Sequence, residues 1–198
     1  MEMDDLLKQI DFIKEIDKIK YIQRKTKLFN SDRCENDAEH SWHLAMMAIV
    51  LAGHSDTPID VLKVLKMVLI HDIVEIDAGD TFIYDTVKNH KNTEEELAGA
   101  KRIFGLLPAD QAEELVALWL EFEEEQTNEA KFAKSLDRLE PLLQNVSNNG
   151  GTWKEFNVGY QKVFDKKKAI KAGSSMLWNY AEYLLDESVK SGILRKDS

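Results

Sequence analysis

The fold is decided by residues 61–76, which read VLKVLKMVLIHDIVEI. Apolar side chains recur in this stretch at spacings of three and four, the period of an α-helix with one buried face. Thr57 as the helix cap predicts where this helix begins, and Gly79 predicts where it ends. The buried face continues into His71 and Asp72, so the pattern predicts a helix that carries two polar groups into the core.

The remaining sequence shows the same helical period, and no stretch alternates apolar and polar residues long enough to predict a strand. We therefore expect an all-α fold in which residues 1–198 form one compact domain. The polar, glycine-rich run at 147–151 predicts a break, after which the C-terminal helices pack on the core over residues 152–191. The predicted helices cover, to within a few residues, 4–25, 36–54, 57–78, 93–105, 108–125, 128–146 and 174–191.

The composition argues against several classes of protein. The formal net charge of −10 argues against nucleic-acid binding, because phosphate backbones are bound by patches of lysine and arginine. No apolar run approaches the roughly 20 residues that span a bilayer, and the acidic N-terminus does not resemble a signal peptide. The single cysteine, Cys34, excludes an intrachain disulfide and favours a reducing, cytoplasmic location.

His71 and Asp72 are the residues of the 61–76 helix that point to chemistry. Imidazole and carboxylate groups both bind divalent transition metals. A buried, ionised aspartate is costly without a partner, and a metal ion is the natural candidate for that partner. For an isolated His-Asp pair, a solvent-exposed position at a helix end is the more common arrangement, so the pair alone does not predict a metal site.

Two other polar residues lie on predicted apolar faces. His40 begins a stripe that continues through Leu44 in the second helix, and Asp137 lies at the edge of an apolar face in a later helix. Each has an ordinary alternative, because His40 could be a hydrogen-bonded core residue and Asp137 could pair with Arg138 at the surface. A site is indicated by the joint occurrence of these polar residues on three core-facing helices.

Three motifs occur in order along the chain. They read RCENDAEHSW at 33–42, IHDIVE at 70–75 followed by DAGDT at 77–81, and LDR at 136–138. Together they resemble the HD superfamily of metal-dependent phosphohydrolases, and within it the branch of bacterial 5′-deoxynucleotidases and their eukaryotic HD-domain relatives. The likeness extends over residues 15–145 and depends on all three motifs.

The resemblance implies an HD-domain helical bundle with a defined set of site residues. The metal ligands it implies are His40, His71, Asp72 and Asp137. It further implies that Glu75 and Asp80 are the catalytic acidic pair. Glu75 would orient or deprotonate a water, and Asp80 would orient the nucleophile or protonate the leaving 5′-oxygen.

The resemblance also implies that an arginine ahead of the first motif binds the substrate phosphate, as it does in that branch. Arg24 lies near the expected place, but Lys25 and Arg33 are alternatives that the sequence leaves open. The bacterial nucleotidases place an aromatic residue directly after this arginine, whereas the chain has Lys25 and Thr26. The sequence therefore does not predict a preference for deoxyribose.

The number of histidines limits the number of metal ions. Two- and three-metal HD enzymes use extra histidines between the HD pair and the final aspartate, and this chain has only His90 there. We therefore predict one divalent ion. Mixed nitrogen and oxygen ligands favour Mn, Co, Ni, Fe or Zn over Ca or Mg.

The predicted activity is release of phosphate from a small phosphorylated substrate, a (deoxy)nucleoside 5′-monophosphate, in nucleotide metabolism. The alternatives are a cyclic-nucleotide or other phosphodiesterase, and a metal-bound interaction module without catalysis. An HD-fold oxygenase requires two irons and is disfavoured by the histidine count. The resemblance also favours a homodimer, for which the sequence offers apolar candidates in Trp119, Phe122, Trp153 and Trp178.

Overall fold

Helices make up nearly all of the regular structure, as predicted, and they pack around one hydrophobic core. The structure is a computed structural model that describes residues 3–84 and 93–197; His90 lies outside the described residues. The α-helices are α1 (Met3–Ile16), α2 (Asp37–Leu51), α3 (Val61–Ile70), α4 (Glu75–Ala78), α5 (Thr93–Phe104), α6 (Ala109–Glu124), α7 (Asn128–Ser147), α8 (Gly151–Glu155), α9 (Tyr160–Lys167) and α10 (Ser175–Lys190). Short 3₁₀ helices cover Asp17–Tyr21, Ala52–His54 and Lys168–Ala172.

The core is centred on α2, α3 and α7, which contact one another pairwise. Leu44 of α2, Val64 of α3 and Leu136 of α7 have no exposed surface. Each of these helices turns its apolar stripe inward, as the three- and four-residue spacing predicted. Polar residues on the same stripes are therefore carried to one place at the centre of the bundle.

Helix α3 begins later and ends earlier than its sequence pattern predicts. Asp60, and not Thr57, is the cap, because its carboxylate accepts hydrogen bonds from the backbone N–H groups of Leu62 and Lys63. The helix ends at Ile70, and bonds of the 3₁₀ type, such as Glu75 N–H to the Asp72 carbonyl at 2.9 Å, tighten the turn that leads into α4. The predicted continuous helix to residue 78 is therefore wrong.

The prediction of one helix over 4–25 is also wrong. Helix α1 ends at Ile16, and after a 3₁₀ turn the chain forms β1 (Gln23–Lys27), which pairs antiparallel with β2 (Cys34–Asn36). The strand escaped detection because its inward-facing residues are polar. Arg24 and Thr26 are the more buried positions, and Thr26 Oγ1 donates a hydrogen bond to the buried Glu35 carboxylate at 3.0 Å.

The C-terminal helices α8, α9 and α10 pack on α7, and the aromatic residues that the sequence offered for a dimer belong to the core. The side chains concerned are Trp119, Phe122, Trp153 and Trp178, each at most 5% exposed. Their proposed place at an interface is therefore wrong, because these side chains are buried: Trp119 and Phe122 contact His71 at the end of α3, and Trp178 contacts Phe164 of α9. None of the helices in the described ranges combines the length and apolar character needed to cross a membrane.

Candidate active site

The four predicted metal ligands meet at one point between α2, the end of α3 and α7. His40 Nε2 lies 3.2 Å from Asp137 Oδ1, and His71 Nε2 lies 3.0 Å from Asp72 Oδ1. The cross distances are only slightly longer, at 3.8 Å from His71 Nε2 to Asp137 Oδ1 and 4.0 Å from His40 Nε2 to Asp72 Oδ2. Two imidazole nitrogens and two carboxylates thus converge within 4.0 Å of one another in these pairs.

The orientation of His71 indicates what this cluster can hold. Its Nδ1–H donates a hydrogen bond of 2.9 Å to the Val68 carbonyl, which leaves Nε2 as a lone-pair acceptor. That Nε2 is buried and, within the described residues, has no hydrogen-bond partner, although two carboxylate oxygens lie beside it. A lone pair facing carboxylates is unfavourable unless a cation lies between them, so the residues fit a divalent metal ion.

His40 is held by acidic residues behind it. Its Nδ1 lies 3.3 Å from Glu140 Oε2 and 3.5 Å from Glu35 Oε1, and all three side chains are buried. Burial and Arg24 oppose protonation, but hydrogen bonds to Asp137 and Glu140 raise the pKa of His40 well above its ordinary value. A carboxylate behind a histidine is the usual arrangement that orients a metal-binding imidazole.

The two carboxylates of the cluster are held in the ionised form. Burial opposes ionisation of Asp72, but its interactions with the neighbouring His71 and Arg24 side chains lower its pKa below the ordinary value. Burial likewise opposes ionisation of Asp137, and the hydrogen bond from His40 lowers its pKa well below the ordinary value. Both groups are therefore available as anionic ligands at neutral pH.

Arg24 reaches the cluster from β1. Its Nη1 donates a 2.8 Å hydrogen bond to Asp72 Oδ2 and lies 3.4 Å from Asp37 Oδ1, while Nε lies 3.3 Å from Glu35 Oε1. Burial works against the cation, but the charge of Asp72, followed by further carboxylates, raises the pKa of Arg24 well above its ordinary value. The side chain is 13% exposed and remains part of the cavity wall.

The other two predicted phosphate-binding cations lie in different places. Lys25 is exposed and lines the rim of the same cavity. Arg33 forms a two-point ion pair with Glu39, with Nη2 to Oε1 at 2.8 Å and Nη1 to Oε2 at 3.0 Å, and it does not line the cavity. The structure therefore brings Arg24 and Lys25, but not Arg33, to the candidate site.

Glu75 and Asp80 lie beside the metal-binding cluster, together with Asp37 of α2. One carboxylate oxygen from each of the three lies within 4.8 Å of the others. Burial raises the pKa of Asp37 to about 7 and also raises the pKa of Asp80. The pKa of Glu75 is raised well above its ordinary value, mainly by burial and next by the negative charge of Asp72. Carboxyl groups with raised pKa values are common among general acid–base catalysts.

Three buried acidic residues of the site were not predicted, namely Glu35, Asp37 and Glu140. Glu35 and Asp37 belong to the quoted motif at 33–42, but nothing in their spacing separates them from solvated acids at a helix start. Glu140 follows Asp137 by three residues, so it lies on the same face of α7, and that spacing was a usable signal.

A cavity of about 430 Å³ adjoins the cluster, within the range of sites for small molecules. Asp72, Glu75, Asp80 and Asp137 line its acidic end, next to Arg24. The remaining wall is formed partly by Phe82 and Tyr84 and partly by the C-terminal segment, including Lys166 and Lys167. The cavity therefore offers acidic, cationic and aromatic surfaces to one ligand.

The chain is similar to a protein family and to a protein of known structure. The HD domain family matches residues 16–178 of the chain. The crystal structure of a predicted metal-dependent phosphohydrolase from Magnetospirillum magnetotacticum is similar, with a TM-score of 0.92 and 51% identity, over 97% of this chain and 99% of that one.

Curated relatives are less similar in sequence. The human 5′-deoxynucleotidase HDDC2 is 31% identical over 136 residues, which are 68% of this chain and 65% of the human protein. The Danio rerio protein of the same name is 28% identical over 174 residues, which are 85% of this chain and 84% of that protein. The match to the human relative thus spans slightly less than two thirds of that protein's length.

Proposed function

Since this chain belongs to the HD domain family, we propose that it is a metal-dependent phosphohydrolase that releases phosphate from nucleoside 5′-monophosphates, deoxynucleotides among them. The family match confirms the resemblance drawn from the three sequence motifs. The observation that carries the proposal is the buried Nε2 of His71, which lies beside two carboxylates and has no hydrogen-bond partner among the described residues, next to an acidic pair in a cavity of suitable size. The names of the human and Danio rerio relatives support the choice of substrate.

The residues that would hold the metal are those whose donor atoms converge, namely His40, His71, Asp72 and Asp137. We propose one divalent ion, and mixed nitrogen and oxygen ligands favour Mn, Co, Ni, Fe or Zn. When bound, such an ion lowers the pKa of a water molecule and neutralises charge that develops on the phosphoryl oxygens.

Arg24 is the residue best placed to bind the substrate phosphate. It lies against Asp72 and lines the cavity, so a phosphate beside the metal ligands would meet its guanidinium. Lys25 at the rim can add an exposed and therefore weaker contact. Arg33 is not part of the proposal, because its guanidinium forms an ion pair with Glu39 at the surface.

Glu75 and Asp80 would divide the proton transfers. Glu75 accepts a proton from the attacking water while the oxygen of that water forms a bond to phosphorus. The bond from phosphorus to the 5′-oxygen breaks, and Asp80 donates a proton to that leaving oxygen. The pKa values of both side chains are raised by burial, as is common for carboxyl groups that act in general acid–base catalysis.

We also propose a homodimer, supported by an apolar face of α2 that differs from the one suggested by the sequence. Trp42, Met46, Ile49 and Val50 lie at helical spacing and are 42–71% exposed. Light scattering on wild type and on Ile49→Glu tests this, because a dimer through this face would dissociate in the variant. A cytoplasmic location stays a prediction from the single cysteine.

The activity is tested by phosphate release from a panel of nucleoside 5′- and 3′-monophosphates and cyclic nucleotides, each with several divalent metals. We expect hydrolysis of 5′-monophosphates that is lost in Glu75→Ala while the bound metal is retained. Hydrolysis of cyclic nucleotides alone would favour a phosphodiesterase. Full activity in His71→Ala or Asp72→Ala would contradict the proposal as a whole.

A further inference from the structure

A buried lysine from the C-terminal part of the chain lines the active-site cavity. Lys167, the last residue of α9, is 2% exposed, and its Nζ donates a 2.6 Å hydrogen bond to the backbone carbonyl of Arg138. That carbonyl belongs to the residue directly after Asp137 in α7. The ammonium is therefore held next to the end of the cavity where the proposed metal ligands converge.

Lys167 is the most deeply buried of the cations in the cavity wall, and within the described ranges it lacks the carboxylate partners that the two arginines have. Arg24 is in contact with three carboxylates, and Arg138 Nη2 lies 3.7 Å from Glu125 Oε1. In the part of the chain that the structure describes, Lys167 Nζ has only the Arg138 carbonyl as a partner. An ammonium group has three N–H donors, so two remain for a ligand.

The chain holds this charge at an energetic cost. Burial, followed by the positive charge of Arg138, lowers the pKa of Lys167 to about 7, although Asp137 and Glu140 act in the opposite direction. Replacing a poorly paired buried charge by an apolar side chain of similar size is often neutral or stabilising. A hydrogen bond to one carbonyl does not account for a buried lysine at this position, whereas an anionic ligand would offset the free-energy cost of burying its charge.

Resting on the proposed phosphohydrolase activity, we infer that Lys167 binds the substrate phosphate. Its two remaining N–H groups would bind a phosphoryl oxygen from the Asp137 side of the site, while Arg24 binds the same phosphate from the Asp72 side. A phosphate dianion has enough acceptor oxygens for a metal ion and two cationic side chains. The C-terminal helices would then contribute to the active site directly and not only to packing.

Two substitutions of Lys167 separate its charge from its bond to the Arg138 carbonyl. Lys167→Met removes both, and Lys167→Gln removes the charge but retains an N–H donor for the carbonyl. Lys168→Met is the matched control, because it also removes one positive charge, from a side chain that is 59% exposed and paired with Asp165. All variants are compared with wild type as metal-loaded protein.

The readouts are calorimetric binding of inorganic phosphate, KM and kcat for a nucleoside 5′-monophosphate, and the melting temperature. We expect both Lys167 variants to bind phosphate at least about tenfold more weakly, with a similar rise in KM, because a charge-assisted hydrogen bond is lost. We expect Lys167→Met to melt no lower than wild type. Lys168→Met should match wild type in every measurement.

The outcomes distinguish this inference from the proposed function. Wild-type phosphate affinity in Lys167→Gln would overturn the inference, as would a lower melting temperature with unchanged phosphate binding in Lys167→Met. If wild type hydrolyses no phosphate monoester, the proposed function fails. The calorimetric comparison still decides the role of Lys167 in that case, because binding of inorganic phosphate requires no turnover.

Discussion

Replacing Glu140 by glutamine should weaken metal binding although Glu140 is not among the proposed ligands. Glu140 has no exposed surface, and its two carboxylate oxygens lie 3.3 Å from His40 Nδ1 and 3.2 Å from His43 Nδ1. Burial opposes its ionisation, but hydrogen bonds with these two imidazoles lower the pKa of Glu140 to about 2. The ionised carboxylate orients His40 so that Nε2 points towards Asp137.

The expected magnitude follows from what glutamine retains. Its oxygen can still accept a hydrogen bond from His40, but the negative charge that increases the basicity of the imidazole is lost. Loss of such an outer partner typically lowers metal affinity about 10- to 100-fold, or about 1.4–2.8 kcal/mol. We expect the upper part of this range, because solvent cannot reach the buried position to replace the charge.

The assay is competition for the metal between the protein and a coloured chelator. Glu114→Gln is the control, since Glu114 pairs with Lys66 at the surface and its side chain is 58% exposed. His43→Asn removes the second partner of Glu140 and should have a smaller effect. Unchanged metal affinity in Glu140→Gln, or an equal loss in Glu114→Gln, would refute the reasoning.

Three further predictions follow from single contacts. Arg24→Gln should raise KM for a nucleoside 5′-monophosphate at least about tenfold, because a charged contact to the phosphate is lost. Arg33→Gln should leave KM unchanged, because Arg33 pairs with Glu39 outside the cavity. Asp60→Ala should lower the free energy of unfolding, measured with urea, by about 1 kcal/mol, because the side-chain oxygen caps α3. Asp60→Asn should have a smaller effect, because asparagine keeps an oxygen that can accept the same hydrogen bonds. Removal of the metal by a chelator should abolish the binding of inorganic phosphate, measured by calorimetry, and should lower the melting temperature. Adding the metal again should restore phosphate binding and the melting temperature. Phosphate binding of equal strength without metal would contradict this prediction.

The sequence predicted the helical core from helical phase, and helical phase together with the resemblance carried by the three motifs indicated the central cluster. His40, His71 and Asp137 lie on stripes whose apolar members, such as Leu44 and Leu136, are completely buried. Burial of those neighbours carries the polar residues inward as well. The ligand roles themselves stay predictions, and the metal-affinity measurements above test them.

What the sequence did not predict depends on contacts between distant segments. The strand β1 turns Arg24 and Thr26 inward, so its alternation is not one of apolar and polar residues. Asp60 replaced Thr57 as the cap of α3 because local spacing permits either, and only the fold decides which carboxyl or hydroxyl meets the free N–H groups. Lys167 lies within a run of three lysines that resembles a solvated helix end, and only the packing of α9 on α7 buries it.

The balance of charge in the site explains why a cation is needed before a phosphate can enter. Among the described residues, seven carboxylates belong to the cluster or lie close to it, namely Glu35, Asp37, Asp72, Glu75, Asp80, Asp137 and Glu140. In the described part of the chain, the cations Arg24 and Lys167 oppose this charge. Burial and neighbouring carboxylates nevertheless raise the pKa values of Asp37, Glu75 and Asp80, which shows that the excess of negative charge disfavours their ionisation. A dianionic phosphate would add to this excess of negative charge. In the proposed site, a divalent ion at His71 and Asp72 would reverse the local field, so that Arg24 and Lys167 could act on the phosphate and not only on their acidic neighbours.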